Sequence, residues 1–297
     1  VNSNRFRLVM EARRRRRFTF LTPLIGSVLV MLLCFVVTAG STSDNAIQYL
    51  SYGDLTHQFH KMAKEFPDLI KVYTAQERFG LPHVKGHCYN HNEEKIKCSQ
   101  LIAEISNHRG GTAEQRKYRP EVFFSGGLHG NEAVGPMTVL YLALFLLDSY
   151  GKDQWITNLV NTRNIVLMPA PNAVGYAHHW RGEDSTDDLD PNRDFPYQAR
   201  PHECMTTVTA RSINEVWREH LFQLAVTFHG GDNLIAYEWG SPNHILPGTL
   251  KEPWPGVYQG RAEEAPDSNS MAQISELLRT YAGTGGKEHH IFSLSLS

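Results

Sequence analysis

Ser125-Gly126-Gly127-Leu128-His129-Gly130-Asn131-Glu132, launched from the apolar run Val122-Phe123-Phe124, decides the fold. An apolar run of strand length that ends in glycines delivers a His-x-x-Glu pair to a strand terminus. The apolar stretch 134–150 that follows reads as a helix returning against the sheet, its Pro136 tolerable in a first turn. Zn²⁺ takes imidazole nitrogen and carboxylate oxygen at about 2.0–2.2 Å, and catalytic sites combine three protein ligands with a water. A third donor is therefore required. His229 is the best candidate: it closes a second apolar run, Phe222-Gln223-Leu224-Ala225-Val226-Thr227-Phe228, and Gly230-Gly231 follow. Both histidines then stand at strand ends, in the crevice where open α/β sheets bind their ligands. The flanking glycines let backbone approach a bound group closely.

Spacing alone does not single out this pair. A second His-x-x-Glu occurs at His91 and Glu94, in a polar and charged stretch. Its context reads as surface residues or a first helical turn.

A chain of 297 residues suits one large domain or two small ones, and 41% hydrophobic residues provide for a core. The formal net charge is −2. Beyond the N-terminus the basic residues are interspersed with acids, which excludes the electrostatic footprint of a nucleic-acid binder. The N-terminus differs: Arg13 to Arg17 are consecutive arginines, and no charged residue follows until Asp44. The apolar run from Phe18 to Val37 has about the length that crosses a ~30 Å hydrocarbon core. Its arginines belong on the cytoplasmic side. The reading is a basic segment 1–17, then a segment 18–40 that is either a signal anchor or a signal peptide cut near Thr38-Ala39-Gly40. Translation from Met10 favours the cleaved form. Either way the remainder enters the secretory pathway, membrane-anchored or secreted, where disulfides persist. Cys88 and Cys98 bracket Tyr89 to Lys97 as if stapling a hairpin. Cys34 lies in the apolar segment, and Cys204 is left as a buried thiol or an alternative partner.

Leu55, Phe59, Met62 and Phe66 at helical spacing predict a helix over 54–66, ended by Pro67. Strands are expected at 70–74, 96–106, 122–125, 164–168 and 222–228, with another at 234–239. Further helices are expected at 208–221 and 271–281. Residues 170–201, rich in Pro, Asn, Asp, Arg and His, read as one long functional loop. Strands alternating with helices indicate an α/β domain.

Inside that loop lies Asp190-Pro191-Asn192-Arg193-Asp194-Phe195-Pro196. A guanidinium beside an amide makes a carboxylate clamp suited to a peptide's C-terminal end. The competing reading pairs Arg193 locally with Asp190 or Asp194.

In chain order, His129-x-x-Glu132, Asn192-Arg193 and His229 resemble the zinc carboxypeptidase family of the A/B and N/E/D type, over roughly Tyr49 to Ala282. The strings Gly-Gly-Leu-His-Gly-Asn-Glu, Asn-Arg-Asp-Phe-Pro and Phe-His-Gly-Gly strengthen the likeness. The resemblance implies an α/β fold with a mixed, eight-stranded sheet and helices on both faces, and one Zn²⁺ per chain on His129, Glu132 and His229. It implies that Asn192 and Arg193 hold the substrate's terminal carboxylate. Arg181, in His178-His179-Trp180-Arg181, stands where the family places an arginine that polarises the scissile carbonyl. The implied reaction is metal-assisted hydrolysis at peptide or protein C-termini, with membrane contact only through an uncleaved 18–40.

The domain is expected over 49–287, with an atypical tail 288–297. The family's closing tyrosine and base glutamate lie further on and are not placed here, because nothing around Glu288, the only glutamate beyond the last helix, matches that base. The expectation is a C-terminally truncated domain of impaired activity. Two other functions compete: a non-catalytic zinc or peptide-end binding domain, and a zinc deacylase of N-acyl amino acids. The string Asn192 to Pro196 favours peptides over the latter.

Overall fold

The computed structural model describes residues 49–282 apart from 187, 197–203, 232–234, 240–243, 250, 255–256 and 260–262. The segments 1–17 and 18–40, Cys34, Glu288 and the tail 288–297 lie outside the described residues.

Helix α1 (Tyr52–Glu65) starts where Ser51 Oγ accepts from the Asp54 N–H at 3.1 Å, and it buries Leu55, Phe59 and Met62. It leads into β1 (Ile70–Thr74). A short helix, α2 (Ala75–Phe79), follows on a capping box made by Thr74 and Glu77. The stretch 96–106 is not one strand. β2 (Cys88–Tyr89) and β3 (Lys95–Ile96) form a hairpin, Cys98 is tied back to Cys88 by a disulfide, and the strand itself is β4 (Leu101–Ile105). The tie at Cys98 holds that end of the run on the hairpin, so only the part beyond it joins the sheet. Cys204 stands outside the disulfide.

Then come α3 (Ala113–Lys117), β5 (Glu121–Gly126), α4 (Val134–Ser149), α5 (Gln154–Thr162) and β6 (Asn164–Met168). The region 170–201 is not wholly loop: it opens on α6 (Ala173–His178) and carries a 3₁₀ turn at Pro191–Arg193. The overlooked signal was Asn172, whose Oδ1 accepts from the Gly175 N–H at 3.0 Å and caps α6. Helix α7 (Val208–Glu219) leads into β7 (Phe222–Phe228). Its first turn is satisfied by the buried Glu183 carboxylate, which accepts from the Val208 and Thr209 N–H groups. Residues 235–239 adopt no strand, and Ile235 is exposed. A short hairpin, β8 (Lys251–Trp254) and β9 (Val257–Gln259), and α8 (Ser268–Ala282) complete the described chain.

Five strands among the described residues form the central sheet, in the order β1-β4-β6-β5-β7, against the eight that the resemblance implies. β1, β4 and β6 pair antiparallel, while β6, β5 and β7 pair parallel, so the sheet is mixed. Side chains alternate across it, as the two-residue period of a strand requires. Phe124, Ile165 and Leu167 join the larger core with α1, α4, α5 and α6. Phe123, Val166 and Met168 join a smaller core with Ile213 and Val216 of α7 and Ala75 of α2. Helices therefore cover both faces. α4 is apolar because it is packed against the sheet and α1; no single helix among the described residues is long and apolar enough to cross a membrane.

Candidate metal centre

β5 and β7 are parallel neighbours, with Gly126 opposite Phe228. The residues that leave the two strands therefore emerge side by side. Gly127 turns the chain in the left-handed region at φ 56°, and a turn in which the Glu132 N–H donates to the His129 carbonyl at 3.2 Å brings the two side chains together. The loop lies directly on α6. A Cβ on Gly130 would sit 2.0 Å from the Gly175 carbonyl carbon, and the Gly130 N–H donates to the Arg181 carbonyl at 3.2 Å. Asn172, fully buried, holds the same segment through its Nδ2, which donates to the Arg181 and Gly182 carbonyls at 3.2 and 2.9 Å.

One donor atom from each of His129, Glu132 and His229 lies within 4.8 Å of the others. Glu132 is the hinge. His129 Nδ1 is 2.8 Å from its Oε1, His229 Nδ1 is 2.9 Å from its Oε2, and the Gly230 N–H donates to Oε2 at 2.9 Å. Both imidazoles therefore present Nδ1 to one carboxylate. His129 is almost fully buried, while His229 is the most open of the three.

Asp190, which sequence reasoning weighed only as a local partner of Arg193, belongs to this cluster. Its Oδ1 is 3.1 Å from His129 Nε2, and Arg181 reaches its Oδ2 at 3.2 Å. Arg181 also approaches Glu132 Oε1 at 3.4 Å. Its guanidinium spans the Asp190 and Glu132 carboxylates. Asn192 sits in the 3₁₀ turn that Asp190 caps, and its buried Nδ2 has no hydrogen-bond partner. The Arg193 side chain is exposed, and among the described residues it donates only to the Asn192 carbonyl. Asp194 instead accepts from Thr206 and Thr207. Neither local ion pair of the competing reading forms. His91 and Glu94 sit in the β2–β3 turn rather than a helix, and Glu94 accepts from Asn90.

Burial acts to raise the Glu132 carboxyl, but hydrogen bonds from His129, His229 and Gly230 outweigh it and hold the group well below the usual carboxylate range. Burial likewise opposes ionisation of Asp190, yet His129, Asn192 and Arg181 bring it down to about 2. Burial acts to lower the His129 imidazole, and the Asp190 and Glu132 carboxylates reverse that and raise it. Before its imidazoles are counted, the cluster's two carboxylates and one guanidinium sum to one negative charge. Three nitrogen and oxygen donors around such a charge suit a dication.

Comparison with known proteins gives the family and the fold. A family model described as zinc carboxypeptidase matches residues 56–290. Carboxypeptidase D of Homo sapiens is 25% identical over 263 residues, which cover 84% of this chain and 18% of that protein. The chain thus spans less than a fifth of that relative's length. Among solved structures, thrombin activatable fibrinolysis inhibitor superposes with a TM-score of 0.54 at 16% identity, covering 84% of this chain and 60% of that one. Carboxypeptidase A from Helicoverpa armigera gives 0.50 at 19% identity, covering 73% and 55%. These two likenesses establish the fold.

Proposed function

The chain belongs to the zinc carboxypeptidase family, and from that premise we propose that it binds one Zn²⁺ through His129, Glu132 and His229 and removes C-terminal residues from peptides or proteins. The observation that carries this reading is the convergence of two imidazoles and one carboxylate at the ends of adjacent parallel strands. The donors fit the ion. An Nε2–H given to Asp190 would leave His129 Nδ1 its lone pair for the metal. When bound, the ion supplies Lewis acidity toward a carbonyl and lowers the pKa of a water toward ~7.

The chain's own residues supply recognition. The unpartnered Asn192 amide and the outward Arg193 guanidinium receive a terminal carboxylate. Arg181, already beside Glu132, donates to the oxygen of that bond's carbonyl as charge develops there. Asp190 keeps His129 and Arg181 in register. A second reading is zinc-dependent holding of peptide ends without turnover.

Delivery to the secretory pathway is supported by the fully buried Cys88–Cys98 disulfide, a bond that persists in oxidising compartments. Protection of the domain from protease in sealed microsomes tests it, and digestion without detergent would reject it. For the activity, the full chain is supplied with zinc and offered matched peptides ending in a free carboxylate or an amide. Zinc-dependent release of the C-terminal residue from the free acid alone is expected. Selective binding without release would support the second reading, and indifference to the terminal group would overturn both.

A further inference from the structure

The segment that carries Arg181, Asp190, Asn192 and Arg193 has a buried carboxylate near each end, Glu183 and Asp194, each 5% exposed. Glu183 Oε1 accepts from the Val208 N–H at 2.8 Å, and its Oε2 accepts from the Thr209 N–H and hydroxyl, both at 2.6 Å. Asp194 Oδ1 accepts from the Thr206 N–H and hydroxyl, both at 2.9 Å, and its Oδ2 from the Thr207 N–H and hydroxyl, both at 2.7 Å. Every backbone N–H from Thr206 to Thr209 is thus taken by one of two carboxylates. Both ends of the segment are fastened to the start of one helix, α7, which runs into β7 and so toward His229. Between them, the Glu183 N–H donates to the Leu189 carbonyl at 2.9 Å and draws the segment together just before Asp190. Capping α7 does not require this arrangement, since its own N-cap, Thr207, already accepts from the Ala210 N–H at 3.0 Å. Burial raises the Glu183 carboxyl in spite of its donors, so its ionisation does not itself stabilise the fold.

We infer that Glu183 and Asp194 are positioning residues for the carboxylate clamp, a role that rests on the reading of Asn192 and Arg193 proposed above. They fix the segment on α7 and thereby set where Arg181, Asn192 and Arg193 stand relative to the strand that ends at His229. Each acts through the backbone, Glu183 two residues after Arg181 and Asp194 one residue after Arg193. Groups that grip one carboxylate from two sides must be held within about 0.5 Å of the productive geometry, and a segment anchored at both ends by charged hydrogen bonds meets that demand.

The test is a binding titration of the zinc-loaded full chain, well below its melting temperature, with matched peptides ending in a free carboxylate or an amide. The parent is expected to prefer the acid. Glu183→Gln keeps the shape but turns an amide NH₂ toward an N–H, and its affinity for the acid should fall ~10-fold or more, the scale on which the loss of an outer partner acts, with affinity for the amide kept. Asp194→Asn should do the same. A lower melting temperature with the parent's acid preference intact, or equal losses for acid and amide, would reduce both carboxylates to helix caps and overturn the inference. A parent that binds acid and amide alike would instead overturn the clamp itself, and the positioning role with it. If neither variant folds, Thr209→Val, which withdraws one hydroxyl from Glu183 and leaves a side chain of the same size, decides the question: a smaller loss of acid preference is expected, and an unchanged preference would overturn the inference.

Discussion

Asp190 Oδ1 lies 3.1 Å from His129 Nε2, on the edge of the ring opposite the nitrogen that faces Glu132. One carboxylate oxygen thus faces the outer nitrogen of a buried imidazole, while the second takes Arg181 at 3.2 Å. Asp190 thereby contacts a proposed metal donor and the neighbouring guanidinium together. Replacing it by Ala should weaken zinc binding ~10- to 100-fold, the usual cost of losing such a partner. Competition with a chromogenic chelator measures this, and an unchanged affinity would remove Asp190 from the site.

Arg193 reaches outward with its charge uncommitted to Asp190 or Asp194. Arg193→Ala should therefore weaken binding of peptides with a free C-terminal carboxylate and spare their amides. A charged hydrogen bond contributes about 1.5–3 kcal/mol, or roughly 10- to 100-fold. Equal losses for acid and amide in a binding titration would sink the clamp.

Gly130 has no room for a side chain, since its Cβ would overlap the backbone of Gly175 in α6. Gly130→Ala must push the loop that carries His129 off that helix, at a typical overpacking cost of about 1–3 kcal/mol. Both the melting temperature and the zinc affinity should fall. A fully folded variant with native zinc affinity would show that the contact is not needed.

Glu121, at the start of β5, accepts from His220, the Leu221 N–H and Asn164. Burial would raise its carboxyl, but these contacts hold it below its ordinary value of 4.5. A depressed folded-state pKa contributes stability that is present above the unfolded value and is lost as pH falls through the folded value. The stability advantage over Glu121→Gln, measured by urea unfolding, should be constant near neutrality and shrink as pH drops below 4.5. An advantage that grows on acidification would reverse the assignment.

The two apolar runs that carry the histidines were legible because strand length, terminal glycines and donor spacing agree at one place. His129, Glu132 and His229 were chosen on those grounds, and the fold brings their donor atoms together. Asp190 was not legible in this role. Its contact with His129 spans 61 residues, and no periodicity or local motif encodes a contact that only the packing of one loop on another creates. Helix α6 was missed for the opposite reason: its six residues are too short for a periodic signal, and its one local cue, the Asn172 cap, was read as loop polarity. The stretch 96–106 looked continuous because apolar content does not register the disulfide that bends it.

The most direct test of the central claim is the zinc that stays with the purified full chain after dialysis against a weak chelator, compared with His229→Ala. Retention of one ion per chain by the parent, falling to background in the variant, is the predicted result. Stoichiometric zinc in His229→Ala would contradict the assignment of the third ligand and, with it, the centre built on the two strand ends.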